Sequence, residues 1–341
     1  MPAGNTADIS YAIQTAKGTA ATTPVARTYI TGGGIDPERT TADVEETASG
    51  RLRSDTYVQQ SRAGGTPAFW VRPTMIVPLI QGVMGTRVTT GVADPYTHTM
   101  TLANTQPYMT FWKMLQALLF ERFHDCKVAG LNFASEAGGL IRVESEIVGL
   151  NPSSQTAANT TATPEAVTPF THMDGKGQFK AEGVVIAQIR AAMVNIGGGA
   201  DTWQGDGVTP DSVNEQMYDI TIETEQNIID YALWNRWHYG SATPANNAAP
   251  TPNVLEFTGV DAIDFKWSKR DAVGVAATPA RTIQFVATRV QVTEIGAAEP
   301  NTSGETLTRN VTYRVVQPTG ATSGLTAVVN NGNAGTVYAS S

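Results

Sequence analysis

The chain has 341 residues and a mass of 36.2 kDa, a length that suits two domains of ordinary size or one large one. Hydrophobic residues make up 41% of it, which excludes wholesale disorder, whereas charged residues make up only 16%, against about 25% in a typical soluble protein. Because charge usually keeps monomers soluble and apart, a surface this neutral predicts a protein whose copies cover one another.

The charge balance and the cysteine count exclude further classes. A net charge of −8 and the lack of a basic stripe argue against a protein that grips nucleic acid through its phosphates. The sequence has no apolar run of the roughly 18–20 residues that cross a bilayer, and residues 1–5 lack the features of a signal peptide, so we expect no membrane segment. A single cysteine, Cys126, excludes an intrachain disulfide and a thiolate cage for zinc.

Strand patterns dominate the first half. Residues 1–28 keep no apolar period and are interpreted as an extended arm, whereas the spacing over 75–84 predicts a helix that Gly85 ends. Segment 110–123 is left open, because its leucines favour a helix and its aromatic residues favour a strand. Strands are predicted at residues 69–72, 96–102, 127–133 and 140–148, the last two forming a hairpin.

The same order of patterns follows a linker rich in Ser, Thr, Ala and Pro at residues 151–168. An apolar face over residues 228–237 predicts a helix, with Asn227 as its cap and Gly240 as its end. Strands are predicted at residues 179–195, 218–223, 254–266, 282–295 and 307–316, the last two again forming a hairpin. Residues 318–341 are interpreted as a flexible tail.

The sequence therefore predicts a mainly β protein of two tandem β-sandwich or barrel modules, each with a short flanking α-helix. The predicted divisions are an N-terminal arm at residues 1–28, a first module at 29–150, the linker at 151–168, a second module at 169–317 and the tail at 318–341.

Candidates for catalysis are few. His124, Asp125 and Cys126 are adjacent, but neighbouring residues point in different directions on a helix or a strand, so adjacency does not make them a triad. Histidine pairs with metal-ligand spacing are lacking, and the triple glycines at 32–34 and 197–199 lack the frame of a phosphate loop, so they predict tight turns with positive φ. We expect no catalytic residue, no cofactor and no metal.

Several segments of the chain resemble the major tail proteins, a family of tail tube proteins from long-tailed, siphovirus-type bacteriophages. The segments that carry this resemblance are residues 12–19, 83–85, 96–100, 126–141 and 147–149. The resemblance covers residues 8–150 well, whereas the second half matches by the order of its elements. The aromatic- and Leu-rich stretch 108–124 departs from it, being more helical in composition than such proteins are expected to be there.

The resemblance implies rings of subunits that stack into a hollow tube, a conduit for DNA from capsid to host. It implies partners: other copies of this chain, a tape measure protein, tail terminator and tip proteins, and viral DNA that passes without specific binding. It places the protein in the virion after assembly in the host cytoplasm. Rings in this family are commonly sixfold, with one module per chain. If each chain here supplies two modules, three chains close the ring; if each chain counts as one module, six chains are needed.

Two sets of residues are candidates for these contacts. Asp43, Glu45 and Glu46 form an acidic cluster that either lines the channel or belongs to a solvated loop. The expected ring-to-ring contacts are the polar loop 36–66, the C-terminal tail, and the N-terminal arm with Ile13, Lys17 and Thr19.

Two alternatives of other classes stay open. The Trp and Thr content favours a receptor- or glycan-binding adhesin of the tail or surface, and His124 or Cys126 would serve an enzyme.

Overall fold

A computed structural model describes residues 7–44, 55–116, 118–159, 161–186, 188–228, 230–270, 277–296, 307–318, 320 and 323–339. The first half contains β1 (Ala7–Ile13), β2 (Ala26–Tyr29), β3 (Ile35–Val44), β4 (Asp55–Gly65), β5 (Ala68–Trp70), α1 (Ile76–Met84), β6 (Val88–Thr90), β7 (Tyr96–Thr101), β8 (Met109–Leu115), β9 (Leu119–Glu136) and β10 (Arg142–Ser154). The second contains β11 (Phe179–Ala181), β12 (Val184–Val185), β13 (Ile189–Gly197), β14 (Ala200–Trp203), β15 (Ser212–Glu215), β16 (Asp219–Asn227), α2 (Ala232–Tyr239), β17 (Glu256–Ser268), β18 (Thr282–Ile295), β19 (Thr308–Val315) and β20 (Leu325–Asn331). The prediction of a mainly β fold is confirmed.

The order of strand pairing in the first half recurs in the second. Antiparallel ladders join β2–β1–β8–β9–β10–β4–β3 in that order. The corresponding ladders of the second half join β12–β11–β17–β18–β19–β16–β13, also antiparallel. The helices α1 and α2 lie at the same point of the chain order in the two halves. Both hairpins predicted from the sequence, β9–β10 and β18–β19, are present.

Two further ladders cross between the halves. Strand β13 pairs with the C-terminal part of β9, and β20 pairs with β7 of the first half as well as with β18 of the second. The halves also share one hydrophobic core, in which Phe133 of β9 and Phe285 of β18 contact each other with ring centres 5.1 Å apart. Strands such as β13 and β16 bury every second residue, which explains their alternating apolar pattern.

The two helices differ in burial. Eight of the nine residues of α1 are buried, and Gly85 ends it with a φ of 100°, as predicted. Helix α2 has no buried residue, but Trp237 anchors it to the sheet by donating to the carbonyl oxygen of Val292 at 3.3 Å. The prediction of Asn227 as its cap is wrong, because β16 continues to that residue; Asp230 Oδ1 instead accepts from the N–H of Ala232 at 2.9 Å.

The interpretation of residues 1–28 as an unpacked arm needs correction. Ala7–Ile13 is a strand between β2 and β8, and six of its seven residues are buried. Its polar Asp8 is satisfied by the side chain of Arg27, so charge does not prevent burial. Every second side chain of the strand, namely Ile9, Tyr11 and Ile13, is apolar and fills the core. Removing this strand would therefore unfold part of the first half.

The interpretation of residues 318–341 as a flexible tail also needs correction. Leu325–Asn331 is a strand with ladders on both sides, and Tyr338, in the 3₁₀ turn Gly335–Tyr338, is only 1% exposed. This strand is stable because both of its edges are paired, and local sequence does not show this because its two neighbours are distant in the chain.

Two other segments differ from expectation. The linker predicted at 151–168 is shorter, because β10 extends to Ser154. Its remainder packs back on the first half, where Glu165 Oε2 accepts from the N–H groups of Thr74 and Met75 at 2.9 and 3.0 Å.

The segment left open at 110–123 is strand, in β8 and the start of β9. One glycine of each triple run has the predicted positive φ, 64° at Gly33 and 48° at Gly199.

Candidate functional site

An open sheet face runs across both halves of the molecule. Its strands lie in the order β10–β9–β13–β16–β19–β18, and consecutive strands are joined by ladders. The buried residues of these strands face the core, and the residues between them form the face on the other side. The β9–β13 ladder joins the two halves, so the face continues from one half into the other without a break.

The register arranges the side chains of this face in rows perpendicular to the strands. The first row is Arg142–Ala134–Met193–Glu223–Thr312–Glu294, the second is Glu144–Asn132–Asn195–Thr221–Arg314–Gln291, the third is Glu146–Gly130–Gly197–Asp219, and the fourth is Glu136–Ala191–Glu225–Asn310. In these rows β13 carries no charged residue and β9 carries only Glu136, whereas β10 and β16 carry three charged residues each.

Carboxylates outnumber guanidinium groups on this face. Ion pairs on the face join Arg142 to Glu144 at 3.0 Å, Arg190 to Glu225 at 3.3 Å and Arg314 to Asp219 at 2.9 Å. The face also carries Glu136, Glu146, Glu223 and Glu294, which make its net charge negative. A face with a net negative charge repels polyanions and gives their phosphates little to bind.

The centre of the face has little room for larger side chains. Gly130 and Gly197 lie directly opposite each other where the halves join. A Cβ on Gly197 would lie 3.0 Å from the carbonyl oxygen of Asp219, and one on Gly130 would lie 3.4 Å from a carboxylate oxygen of Glu146. Close approach of backbone and side chains thus favours glycine at both positions.

The hairpin of β3 and β4, which we call the projecting hairpin, is the second feature. Most of its residues are exposed or half-buried, and β4 pairs with the body of the protein only through residues 63–65. Its base is held by the N–H of Ser61, which donates to the carbonyl oxygen of Val208 at 2.9 Å, and by an ion pair between Arg62 and Glu38 at 2.7 Å. A two-stranded hairpin that is solvated on both faces is marginally stable alone, which favours a role in contacts between molecules.

Only one residue of the predicted acidic cluster lies among the described residues, and it is not on the open face. Asp43 lies on the projecting hairpin, where its Oδ1 accepts from the hydroxyl of Thr56 at 2.8 Å, and Glu45 and Glu46 lie outside the described residues. The glutamates of the open face were missed by sequence reasoning. Their signal was present as alternation of acidic and apolar residues in 142–148 and 219–226.

The predicted arm residues are divided between the core and a turn. Ile13 is 4% exposed and pairs with Met109, so its side chain contacts the interior of its own chain. Lys17 and Thr19 are exposed in the following turn, where the Lys17 ammonium donates to the carbonyl oxygen of Asp211. The buried carboxylate of Asp125 holds this turn by accepting from the N–H of Gly18 at 2.7 Å.

The adjacent His124, Asp125 and Cys126 do not form a nucleophilic site. The Cys126 thiol is fully buried, burial raises its pKa, and it donates to the carbonyl oxygen of His124 at 3.8 Å. Asp125 is engaged by Gly18 and Asn151 rather than by the histidine. Within the described ranges, no group of three His, Cys, Asp or Glu side chains is placed to hold a metal ion, and no helix is long and apolar enough to cross a membrane.

The sequence model of the phage tail tube protein family matches residues 4–315. The chain belongs to that family. The tail tube protein is therefore a structural protein, and it is part of the virion tail. No curated protein matches the chain closely enough to be counted as a relative. The match covers both halves, so the resemblance is wider than the 8–150 region in which the sequence motifs lie. It ends at Val315, the last residue of β19.

Proposed function

We propose that copies of this tail tube protein close into rings, that the rings stack into a hollow tube, and that the open sheet face lines the channel through which DNA leaves the capsid for the host. The observation that carries this proposal is the unbroken face across both halves, with its excess of carboxylates. Like charge repels phosphate and leaves no gain from counterion release, so the DNA slides past without specific binding.

Ring closure follows from the edges of the sheet. Among the described residues, β3 pairs only with β4, and its outer edge over residues 35–42 has no ladder. An open edge of this length is a hazard for a monomer, whereas in a ring a neighbouring copy satisfies its backbone groups.

The recurring ladder order supports two equivalent modules, of which the first begins at β1 rather than at residue 29. Three chains would then close a ring of six modules, and six chains would be needed if each chain counted once. Native mass measurement on a ring released from tubes separates the two, because the ring mass is either three or six times 36.2 kDa.

The projecting hairpin makes the proposed contacts between stacked rings. Of the three segments expected to make ring-to-ring contacts, the N-terminal and C-terminal ones are largely folded into the body, whereas the hairpin is exposed. We propose that tubes assemble in the host cytoplasm around a tape measure protein, with terminator and tip proteins at their ends. Replacing Tyr57, which is 54% exposed on the hairpin, with Ser should reduce tube formation and leave the monomer folded. Val92→Ala, at a fully exposed loop residue, is the control.

Electron microscopy of the concentrated protein, followed by phage carrying face variants, tests the proposal. The native protein should form filaments with a central hole. A chain with Glu144→Lys, Glu146→Lys and Glu223→Lys should form similar tubes, but phage carrying it should eject DNA more slowly, because the channel wall would now attract phosphate. Asp261→Lys, at an exposed residue of β17 outside the face, should eject normally. Monodisperse particles that bind sugars would contradict the tube and support an adhesin; normal ejection by the triple variant would contradict the channel assignment.

A further inference from the structure

The C-terminal segment, residues 325–339, connects the two halves by a route separate from the β9–β13 ladder. It is attached covalently to the second half through β19, yet one edge of β20 pairs with residues 96–101 of β7 in the first half. Its other edge pairs with residues 282–287 of β18 in the second half. Strand β20 therefore fills a slot whose two walls belong to different halves.

The burial of β20 matches this slot. Leu325, Ala327, Val329 and Asn331 are each 0% exposed, and the residues between them are half-buried. The strand contributes three apolar side chains to the core with a period of two. Because both edges are paired and one face is buried, the slot recognises an extended peptide by main-chain hydrogen bonds and by small apolar side chains at alternate positions.

The end of β20 is anchored by one buried asparagine. Asn331 Nδ2 donates to the carbonyl oxygen of Pro73 at 2.9 Å and to the hydroxyl of Tyr338 at 3.0 Å. Its Oδ1 accepts from the N–H of Asn333 at 2.8 Å and lies 3.0 Å from His98 Nε2. Since this oxygen is an acceptor, Nε2 of His98 carries the proton. Burial lowers the pKa of His98 and so favours the neutral ring, with its proton on Nε2.

The turn after β20 is held by the first half as well. The hydroxyl of Tyr338 donates to the carbonyl oxygen of Thr74 at 3.1 Å, at the start of α1. The guanidinium of Arg87 donates to the carbonyl oxygens of Gly335 and Tyr338, each at 3.2 Å. Outside the segment itself, the side-chain hydrogen bonds described for Asn331, Gly335 and Tyr338 are thus to residues 73–98 of the first half.

The C-terminal segment is connected to β19 by a stretch with the composition of a linker. Residues 316–324 are Val-Gln-Pro-Thr-Gly-Ala-Thr-Ser-Gly, a composition typical of a linker. The family match ends before them, at residue 315, so the segment lies outside the matched region. A docked strand on a polar linker can enter its slot after the rest of the sheet has formed.

We propose that the slot between β7 and β18 is a strand-binding site, that the chain fills it with its own residues 325–339, and that this insertion locks the two halves in one arrangement. The ligand class is an extended peptide with small apolar residues at alternate positions, followed by an asparagine and a phenol. The proposal holds whether or not the protein forms tubes, because it concerns the arrangement within one chain.

Hydrogen exchange on the full-length chain is the first test. Asn331→Ala removes the buried anchor and should speed amide exchange about tenfold or more in β7 and in residues 282–287 of β18. The β9–β13 ladder should keep its protection. Val337→Ala, in the same segment but at a residue that is 43% exposed, is the matched control and should leave all three regions protected. Unchanged exchange in β7, or equal loss in the β9–β13 ladder, would overturn the proposal.

A cut chain provides the second test. A protease site inserted after Gly320 is cleaved once the protein has folded, and size-exclusion chromatography then reports whether the fragment stays with the body. We expect the native fragment to co-elute at low micromolar concentration and the Asn331→Ala fragment to be lost. Loss of the native fragment would show that the slot does not bind the strand by itself, and retention of both fragments would show that the Asn331 network is not its anchor. Either result would overturn the assignment.

Discussion

The projecting hairpin and the β9–β10 hairpin are both long antiparallel ribbons, but they have opposite surroundings. Strand β9 buries Val128, Leu131 and Phe133, and neighbouring strands pair with it on both sides. Strand β3 buries Ile35 at its start and is exposed over the following residues. The hairpins share backbone geometry and differ in the side chains that they offer to a core. A ribbon without an apolar face is kept folded only weakly by its own molecule, and this is what a surface meant for another molecule requires.

The largest difference should appear when one aromatic residue is removed from each hairpin. Phe133→Ala in β9 empties a site that is 0% exposed and in ring contact with Phe285, so the free energy of unfolding should fall by about 3–5 kcal/mol. Tyr57→Ala in β4, at a side chain that is 54% exposed, should change it by no more than about 0.5 kcal/mol. Urea unfolding of the monomer measures both. Comparable losses would mean that the projecting hairpin is part of the core.

The next effect concerns the tight packing inside the β9–β10 hairpin. Gly149 lies opposite Cys126, and a Cβ at Gly149 would approach the sulfur to 2.3 Å. Gly149→Ala should therefore lower the free energy of unfolding by about 1–3 kcal/mol through overpacking.

Removing the sulfur provides the control for this steric explanation. Cys126→Ala in the Gly149→Ala background should restore part of the lost stability in the same urea experiment. A double variant no more stable than Gly149→Ala alone would show that the sulfur is not the cause.

A pH effect should be confined to one of the two hairpins. Burial lowers the pKa of His124 in β9 below its usual 6.5, and Arg122 lowers it further, although the charge of Asp125 opposes both. The unfolded chain then binds protons at a higher pH than the folded one, so stability is full above about pH 6.5 and falls as the pH drops below it. The projecting hairpin contains no histidine.

Stability measured between pH 7 and 5 should thus fall, and His124→Gln should reduce the slope. The slope that remains is expected from His98, whose pKa is also lowered by burial. A slope that is unchanged in the His124→Gln variant would remove His124 from this explanation.

The smallest effect is expected from the ion pair on the projecting hairpin. Glu38 and Arg62 are 2.7 Å apart, but their side chains are 46% and 36% exposed, so water and salt screen them. Glu38→Gln should cost less than about 0.5 kcal/mol in urea unfolding. A loss well above 1 kcal/mol would show that the hairpin depends on this pair for its own folding.

The same comparison explains which parts of the fold the sequence predicts. The alternation over 127–133 and 140–148 predicts the β9–β10 hairpin correctly, because its partners are adjacent in the chain. Strand β1 has a similar alternation, but Asp8 and its Ala- and Thr-rich surroundings hide it, and the pairing of Asp8 with Arg27 is visible only in the folded protein. The sequence does not predict strand β20, because its burial depends on β7 and β18, which are distant in sequence.

The candidate site was predictable only in its chemistry. The acidic balance of the chain indicates a surface that repels nucleic acid, but it does not indicate which carboxylates share one face. Asp43 is conspicuous as part of a cluster in sequence, whereas Glu146 and Glu223 are brought into one face by the β9–β13 ladder. The register of that ladder is set by packing between the halves, which no local pattern encodes.

The hydrogen bond between His98 and Asn331 has a consequence for how the protein is made. The two residues are 233 positions apart, and everything between them must be translated before they can meet. At about 5–20 residues per second, the edge of β7 waits on the ribosome for roughly 10–50 s without its final neighbour. During that interval the nascent chain has an unprotected border at which newly made copies can associate wrongly, so its yield should depend on translation speed and on chaperones that shield the growing polypeptide.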